Sequence, residues 1–182
     1  MKTSTFLIVL ALASSAAAQI AAPKIGCFVD PQQRLRTVYG VAGSFVVGEP
    51  EREQVLAALC TATLTIVKTA ASLEVNGTFY AAPEGTALIR RDGYVHYTSV
   101  DEWVRAGERS LQAAGPPNPL EDEASLDGSF VVIAGKRIEL PGPGASIHEL
   151  GPGWYRVVLE DGRHVAVSVS RTRVYSLPEV SR

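Results

Sequence analysis

The chain is poor in the residues that usually carry chemistry. It holds two cysteines and three histidines, so any metal or redox role must rest on very few side chains. No G-x-S-x-G elbow occurs: "AGSF" (42–45) and "DGSF" (127–130) both lack the second glycine. "HELGP" (148–152) begins as a zincin helix would, but Pro152 stands where the second histidine is needed. Neither a P-loop nor a dinucleotide fingerprint is present, so no cofactor is expected. Lys and Arg form no block, which removes the phosphate-neutralising surface that nucleic-acid binding requires. Beyond the N-terminus no apolar run is long enough to span a membrane.

What the N-terminus does contain is a secretory pattern. Lys2 supplies a positive start, "FLIVLALA" (6–13) a short apolar core, and Ala16-Ala17-Ala18 a small-x-small cleavage pattern. Cleavage is expected after Ala18, giving a signal peptide over 1–18 and a mature chain from Gln19. Beyond Ala13 the stretch is mostly Ala and Ser, too weakly apolar to hold a span as an uncleaved anchor. Loss of Lys2 leaves 16 basic residues against 19 acidic ones, a formal charge of −3. A weakly acidic, secreted or periplasmic chain follows, with no membrane span after processing.

In an oxidising compartment Cys27 and Cys60 pair most simply as one disulfide. The competing reading makes Cys27 the lipidated residue of "PKIGC". Lys24 argues against it, standing where a lipobox expects an apolar residue.

Nearly everything after Ala22 reads as short strands between turn residues. "IGCFVD" (25–30) and "LRTVYG" (35–40) flank Pro31-Gln32-Gln33, and "SFVVGE" (44–49) follows. "TLTIVKT" (63–69) alternates as a half-buried strand does. Asn76-Gly77 is a hairpin signal, since both central positions of a type I′ turn need positive φ. Asn76-Gly77-Thr78 is also a glycosylation sequon. "WYRVVLEDGRHVAVSVS" (154–170) predicts two arms closing on a type I′ turn at Asp161-Gly162. "PEREQVLAALC" (50–60) predicts a short helix, with Pro50 in an N1-like position and Val55, Leu56 and Leu59 on one face. Residues 101–114 fit either a helix capped by Asp101 or a hairpin turning at Ala106-Gly107. Residues 115–127, rich in Pro and acids, form a loop.

An internal repeat organises these pieces. "NGTFYAAPEGTALIRRDGYVHY" (76–97) aligns without gaps on "AGKRIELPGPGASIHELGPGWY" (134–155). Gly77 meets Gly135, Pro83 meets Pro141, Ile89 meets Ile147, Gly93 meets Gly151 and Tyr97 meets Tyr155, all at an interval of 58. Gly and Pro carry turns, so agreement between them means agreement in strand length. The fold class expected is all-β: short antiparallel strands in repeated hairpin units, a small or incomplete β-propeller-like array, with a β-sandwich as alternative. A single domain, 19–182, would hold units near 25–62, 63–114 and 128–182, with 115–127 as the acidic loop.

The run "FVDPQQRLRTVYGVAG" (28–43) resembles the opening of a family of uncharacterised secreted bacterial proteins with propeller-like repeats. "VKTAASLEV" (67–75) is similar to their blade-closing strands. The resemblance implies the fold and a bacterial host, and it carries no activity or functional residue. So few units would leave a ring short of blades and its sheet edges bare, which implies a homo-oligomer.

Candidate ligand-binding residues are aromatic. Trp103, Trp154, Tyr155 and Tyr97 lie in the two matched units, where such residues mostly fill a core. The functional reading sets them at a blade mouth against a sugar ring or a partner protein. Trp154 leads because it follows a Gly-Pro-Gly turn. A metal site is not expected, since the repeat places His148 opposite Arg90 and His96 opposite Trp154. The function expected is a non-catalytic binding module for a protein or carbohydrate. The alternatives are a lectin-like binder and a hydrolase assembled from loops, with His148, His164 and Asp161 as its residues.

Overall fold

Turn chemistry cuts the chain into meanders. The computed structural model describes residues 22–41, 43–108, 110–118 and 123–178. The signal peptide expected over 1–18, and residues 119–122 of the acidic loop, lie outside them. Five antiparallel sheets follow in order. The first is β1 (Lys24–Val29), β2 (Leu35–Val41) and β3 (Ser44–Arg52). The second is β4 (Ala57–Cys60), β5 (Thr65–Lys68), β6 (Ser72–Val75) and β7 (Thr78–Ala81). The third is β8 (Ala87–Ile89), β9 (Tyr94–Tyr97), β10 (Glu102–Ala106) and β11 (Leu111–Ala114). The fourth is β12 (Ser125–Asp127), β13 (Phe130–Ile133) and β14 (Lys136–Glu139). The fifth is β15 (Gly144–Gly151), β16 (Trp154–Leu159), β17 (His164–Ser168) and β18 (Arg173–Ser176). The units expected near 25–62, 63–114 and 128–182 run across these sheets, with residue 62 in the β4–β5 turn.

The all-β expectation stands, with no helix among the described residues. The helix expected over 50–60 is instead the end of β3, a turn with Gln54 at φ 57°, and β4. Pro50 lies on β3, the outer strand of its sheet, where a missing N–H is tolerated. Val55 and Leu59 are buried, but in a run too short for periodicity to separate helix from strand. Residues 101–114 take the hairpin reading, as β10 and β11. β5 is buried on both faces, at Ile66, Val67 and Lys68, and is not the half-buried strand its alternation suggests. The fully buried Lys68 donates from Nζ to the carbonyls of Thr69 and Ala70.

The interval of 58 survives in three dimensions. It carries β6 onto β13 and β7 onto β14, residue for residue. Buried Leu73 and Val75 fall on buried Val131 and Ile133. The bond from Ala82 N to Ala71 O falls on that from Leu140 N to Ser129 O. Asn76 and Gly77 (φ 47° and 83°) and Ala134 and Gly135 (φ 48° and 74°) make the same type I′ turn. Asn76 adds side-chain bonds: Oδ1 accepts from Thr65 N, and Nδ2 donates to the carbonyls of Thr63 and Glu108. Both its polar atoms are structural, so the hairpin reading prevails over the sequon. At Asp161-Gly162 only the glycine has positive φ, at 84°. With Leu159 N bonded to Arg163 O and Gly162 N to Leu159 O, this is a three-residue loop rather than the expected two-residue turn.

Ala134 pays for left-handed backbone without an asparagine side chain, a strain of about 1 kcal/mol. Ala134→Asn is therefore expected to raise Tm by roughly 2–4 °C in calorimetry. An unchanged or lowered Tm would show that the turn carries no strain.

The fourth sheet is one strand short for a readable reason. The interval places 115–118, Gly-Pro-Pro-Asn, opposite β4. Prolines cannot donate to a ladder, and no strand forms there. Sheets pack face to face along four apolar seams. Val67, Val55 and Cys60 meet Cys27 and Leu35 between the second and first sheets. Ile66, Leu73 and Val75 meet Val95 and Tyr97 between the second and third. Phe28, Val38 and Phe45 meet Leu150 and Ala166 between the first and fifth. Val131, Ile133 and Ile138 meet Tyr155, Val157 and Leu159 between the fourth and fifth.

The packing order is therefore third, second, first, fifth, fourth, and the described residues form no closed ring of sheets. First strands gather on the inside: β1 lies against β4 and β15, β4 against β8, and β15 against β12. β1 and β15 approach so closely that a Cβ on Gly26 would lie 1.4 Å from Leu150 O, and one on Gly151 2.1 Å from Ile25 O. Only glycine fits at that crossing.

Candidate functional site

The gathered first strands enclose a cavity of about 870 Å³. Its walls come from β1, β4, β8 and β15, with Glu123 and Ala124 leading in from the side of β12. The volume lies within the range of small-molecule sites. Apolar wall is supplied by Val29, Ala57, Leu88, Ile89, Trp103 and Ile147; polar groups converge from Gln33, Arg91, His148, Glu149 and Arg156.

Two polar clusters flank β15, because successive residues of a strand face opposite ways. On the side of the first sheet, His148 pairs in register with Arg156 of β16. The Arg156 guanidinium stacks 4.3 Å over the Phe28 ring, and its NH2 lies 3.3 Å from the His164 ring nitrogens. Burial lowers the Arg156 pKa, and the negative charge of Asp30 counters part of the effect. His148 is reached by water yet stands within a concave wall. Surrounding protein lowers its pKa, and the charge of Arg156 adds to this.

Asp30 anchors that side. Its side chain is fully buried, with Oδ2 accepting from Arg36 Nε at 2.7 Å and Arg34 Nε at 2.9 Å. Oδ1 accepts from the backbone N–H groups of Gln32 and Arg34. Arg36 NH1 also donates to Gly48 O, tying β2 to β3. Burial alone would raise the Asp30 pKa. Hydrogen bonds from Arg36 and Arg34 outweigh it and hold the carboxyl below its ordinary value.

On the other side of β15, Glu149 pairs in register with Tyr155. Burial raises the Glu149 pKa, against the opposing pull of Arg91. Its buried Oε1 has no hydrogen-bond partner among the described residues. Burial raises the Tyr155 pKa as well, helped by Glu149.

The aromatic candidates separate. Trp103 and Tyr155 line the cavity. Trp103 stacks on His96 at 4.4 Å, and His96 Nε2 lies 2.8 Å from Asp101 Oδ1. Tyr97 is buried in the seam between the second and third sheets. Trp154 packs edge-on to Phe45 at 5.5 Å and beside Tyr175 at 5.9 Å, against the core of the first–fifth seam. Of the hydrolase residues, His148 and His164 both approach Arg156. Asp161 sits in an exposed turn, its carboxylate accepting from Arg163 N and Nε. Cys27 and Cys60 form the disulfide expected of them, Cα atoms 5.5 Å apart, joining β1 to β4 at the cavity wall.

No group of His, Cys, Asp and Glu among the described residues has the arrangement of a metal site. Arg156, Glu149 and Asp30 are site residues that sequence reading missed. The one available signal was a charged residue in or beside an apolar strand: Asp30 after β1, Glu149 in β15 and Arg156 in β16. No family model, curated protein or solved structure matches the chain.

Proposed function

We propose that the chain is a non-catalytic binding module, secreted or periplasmic, whose five sheets act as a small propeller-like scaffold around a central ligand site. The observation that carries this reading is the cavity: a single concave space to which the first strands of successive sheets contribute apolar wall and convergent polar groups. A binder needs just this, a shape fixed by rigid strands with few polar contacts for orientation. The disulfide fits an oxidising compartment. Of the hydrolase candidates, Asp161 does not pair with His148 or His164 among the described residues, its carboxylate being held by Arg163 in an exposed turn.

Leu88 gives the test. It lines the cavity and is 60% exposed, so Leu88→Trp should narrow the site without disturbing the core. Glycan and peptide arrays probed with both proteins should give a hit with wild type that is lost with Leu88→Trp at unchanged circular dichroism. A hit indifferent to Leu88→Trp, or blank arrays together with no small molecule bound in ligand-observed NMR, would overturn the proposal.

A further inference from the structure

We infer that the cavity holds a small organic carboxylate with an apolar body, its anionic end seated at the seam of the first and fifth sheets against Arg156 and His148. The inference rests on the binding-module reading and adds the chemistry of the ligand.

Arg156 is only 5% exposed and lines the cavity, yet its buried Nε has no hydrogen-bond partner among the described residues. Leaving a buried donor of this kind unmade is costly, more so on a charged group. Less than 1 Å² of Nε is open to a water-sized molecule, so an acceptor from the cavity completes it only as the guanidinium shifts toward it. Charge count points the same way. Three guanidiniums, Arg34, Arg36 and Arg156, act on one carboxylate, Asp30, whose oxygens already accept four hydrogen bonds. Asp30 has nothing left to offer Arg156 at bonding distance.

His148, beside Arg156 in register and open to the cavity, can place a ring N–H on the same anion. Glu149 faces the other way, toward Tyr155 and under the influence of Arg91, so it does not compete for the seam. Beyond the seam the walls are Leu88, Ile89, Trp103 and Ile147, which suit a hydrocarbon or aromatic body. At the seam an amine would meet the surplus of Arg34, Arg36 and Arg156 over Asp30, and an amide would forgo the charge-assisted bond.

The experiment is ligand-observed NMR titration of the intact protein with phenylacetate and hexanoate, each beside its amide and its amine. At least one carboxylate should bind about tenfold or more tightly than its amide and amine partners. Arg156→Gln should weaken it by roughly 10- to 100-fold, as loss of a charge-assisted bond would. His148→Asn, at an exposed position, should weaken it severalfold and carries the test if Arg156→Gln does not fold. Equal binding of acid and amine, no binding of either acid, or indifference to both variants would overturn the inference. A neutral array hit blocked by Leu88→Trp, with both acids ignored, would overturn it while leaving the binding module standing. Carboxylate binding untouched by Leu88→Trp would overturn both.

Discussion

Asp30→Ala is expected to destabilise the protein by about 3–5 kcal/mol, the usual cost of breaking a buried ion pair from one side. The carboxylate is fully buried and accepts from Arg36, Arg34 and two backbone N–H groups, so its removal strands four donors. Arg36 suffers most: its side chain is nearly buried, and Gly48 O would be its remaining acceptor. Urea unfolding of wild type and variant measures the loss, and a difference below about 1 kcal/mol would show the cluster to be unimportant. Acid supplies a second, independent reading. The folded pKa of Asp30 lies below its ordinary 3.8, so its stabilisation is whole above that pH. It fades as pH falls through the lower folded value. Asp30→Asn keeps an acceptor for the turn but loses the charge, so the gap between wild type and Asp30→Asn should close as the solution is acidified below about pH 4.

Removing the disulfide should have an effect of the same size. Cys27 and Cys60 are 33 residues apart, and the chain-entropy relation gives about 4 kcal/mol for closing such a loop. Domains of this size hold roughly 5–15 kcal/mol in total, so the double variant Cys27→Ala, Cys60→Ala should lose a substantial share of its stability. Its Tm is expected to fall by roughly 10 °C, and reduction of wild type with dithiothreitol should reproduce most of the fall. The two alanines also thin the first–second seam, where both sulfurs are buried. If reduction leaves Tm unchanged while the alanines lower it, packing rather than the covalent link holds that seam.

Strand positions were legible because they follow turn chemistry. Asn76-Gly77 announced its hairpin, and the matching turn at Ala134-Gly135 was found only by the interval, since alanine gives no local signal for positive φ. Sheet number was not legible: the same turn residues join strands within a sheet and sheets to one another. The 50–60 segment failed because Pro50 and the acids after it suit a helix start locally. Tertiary pairing of the same residues on β3 and β4 decided otherwise.

Of the candidate site, the sequence offered its aromatics, and two of the four reach the cavity. Asp30 and Arg36 stood inside the run that carried the family resemblance, but nothing in spacing alone says that a turn aspartate bends back onto a strand arginine. Arg156 was hidden for the same reason. It lies in the strongest alternating strand of the chain, and burial of its guanidinium depends on Phe28, 128 residues earlier.

The glycine crossing of β1 and β15 also sets an order of events during folding. The second and third sheets can assemble from neighbouring hairpins, and so can the fourth and fifth. β1 emerges before them all, yet its inner edge meets its partner, Leu150 and Gly151, only once the fifth sheet exists. Contacts so distant in sequence are slow to form. Until then the first strand is an open edge, the kind of surface that pairs with the wrong chain. Once the chain reaches an oxidising compartment, the link to β4 through Cys60 gives it a way to keep that edge at home until the fifth sheet docks.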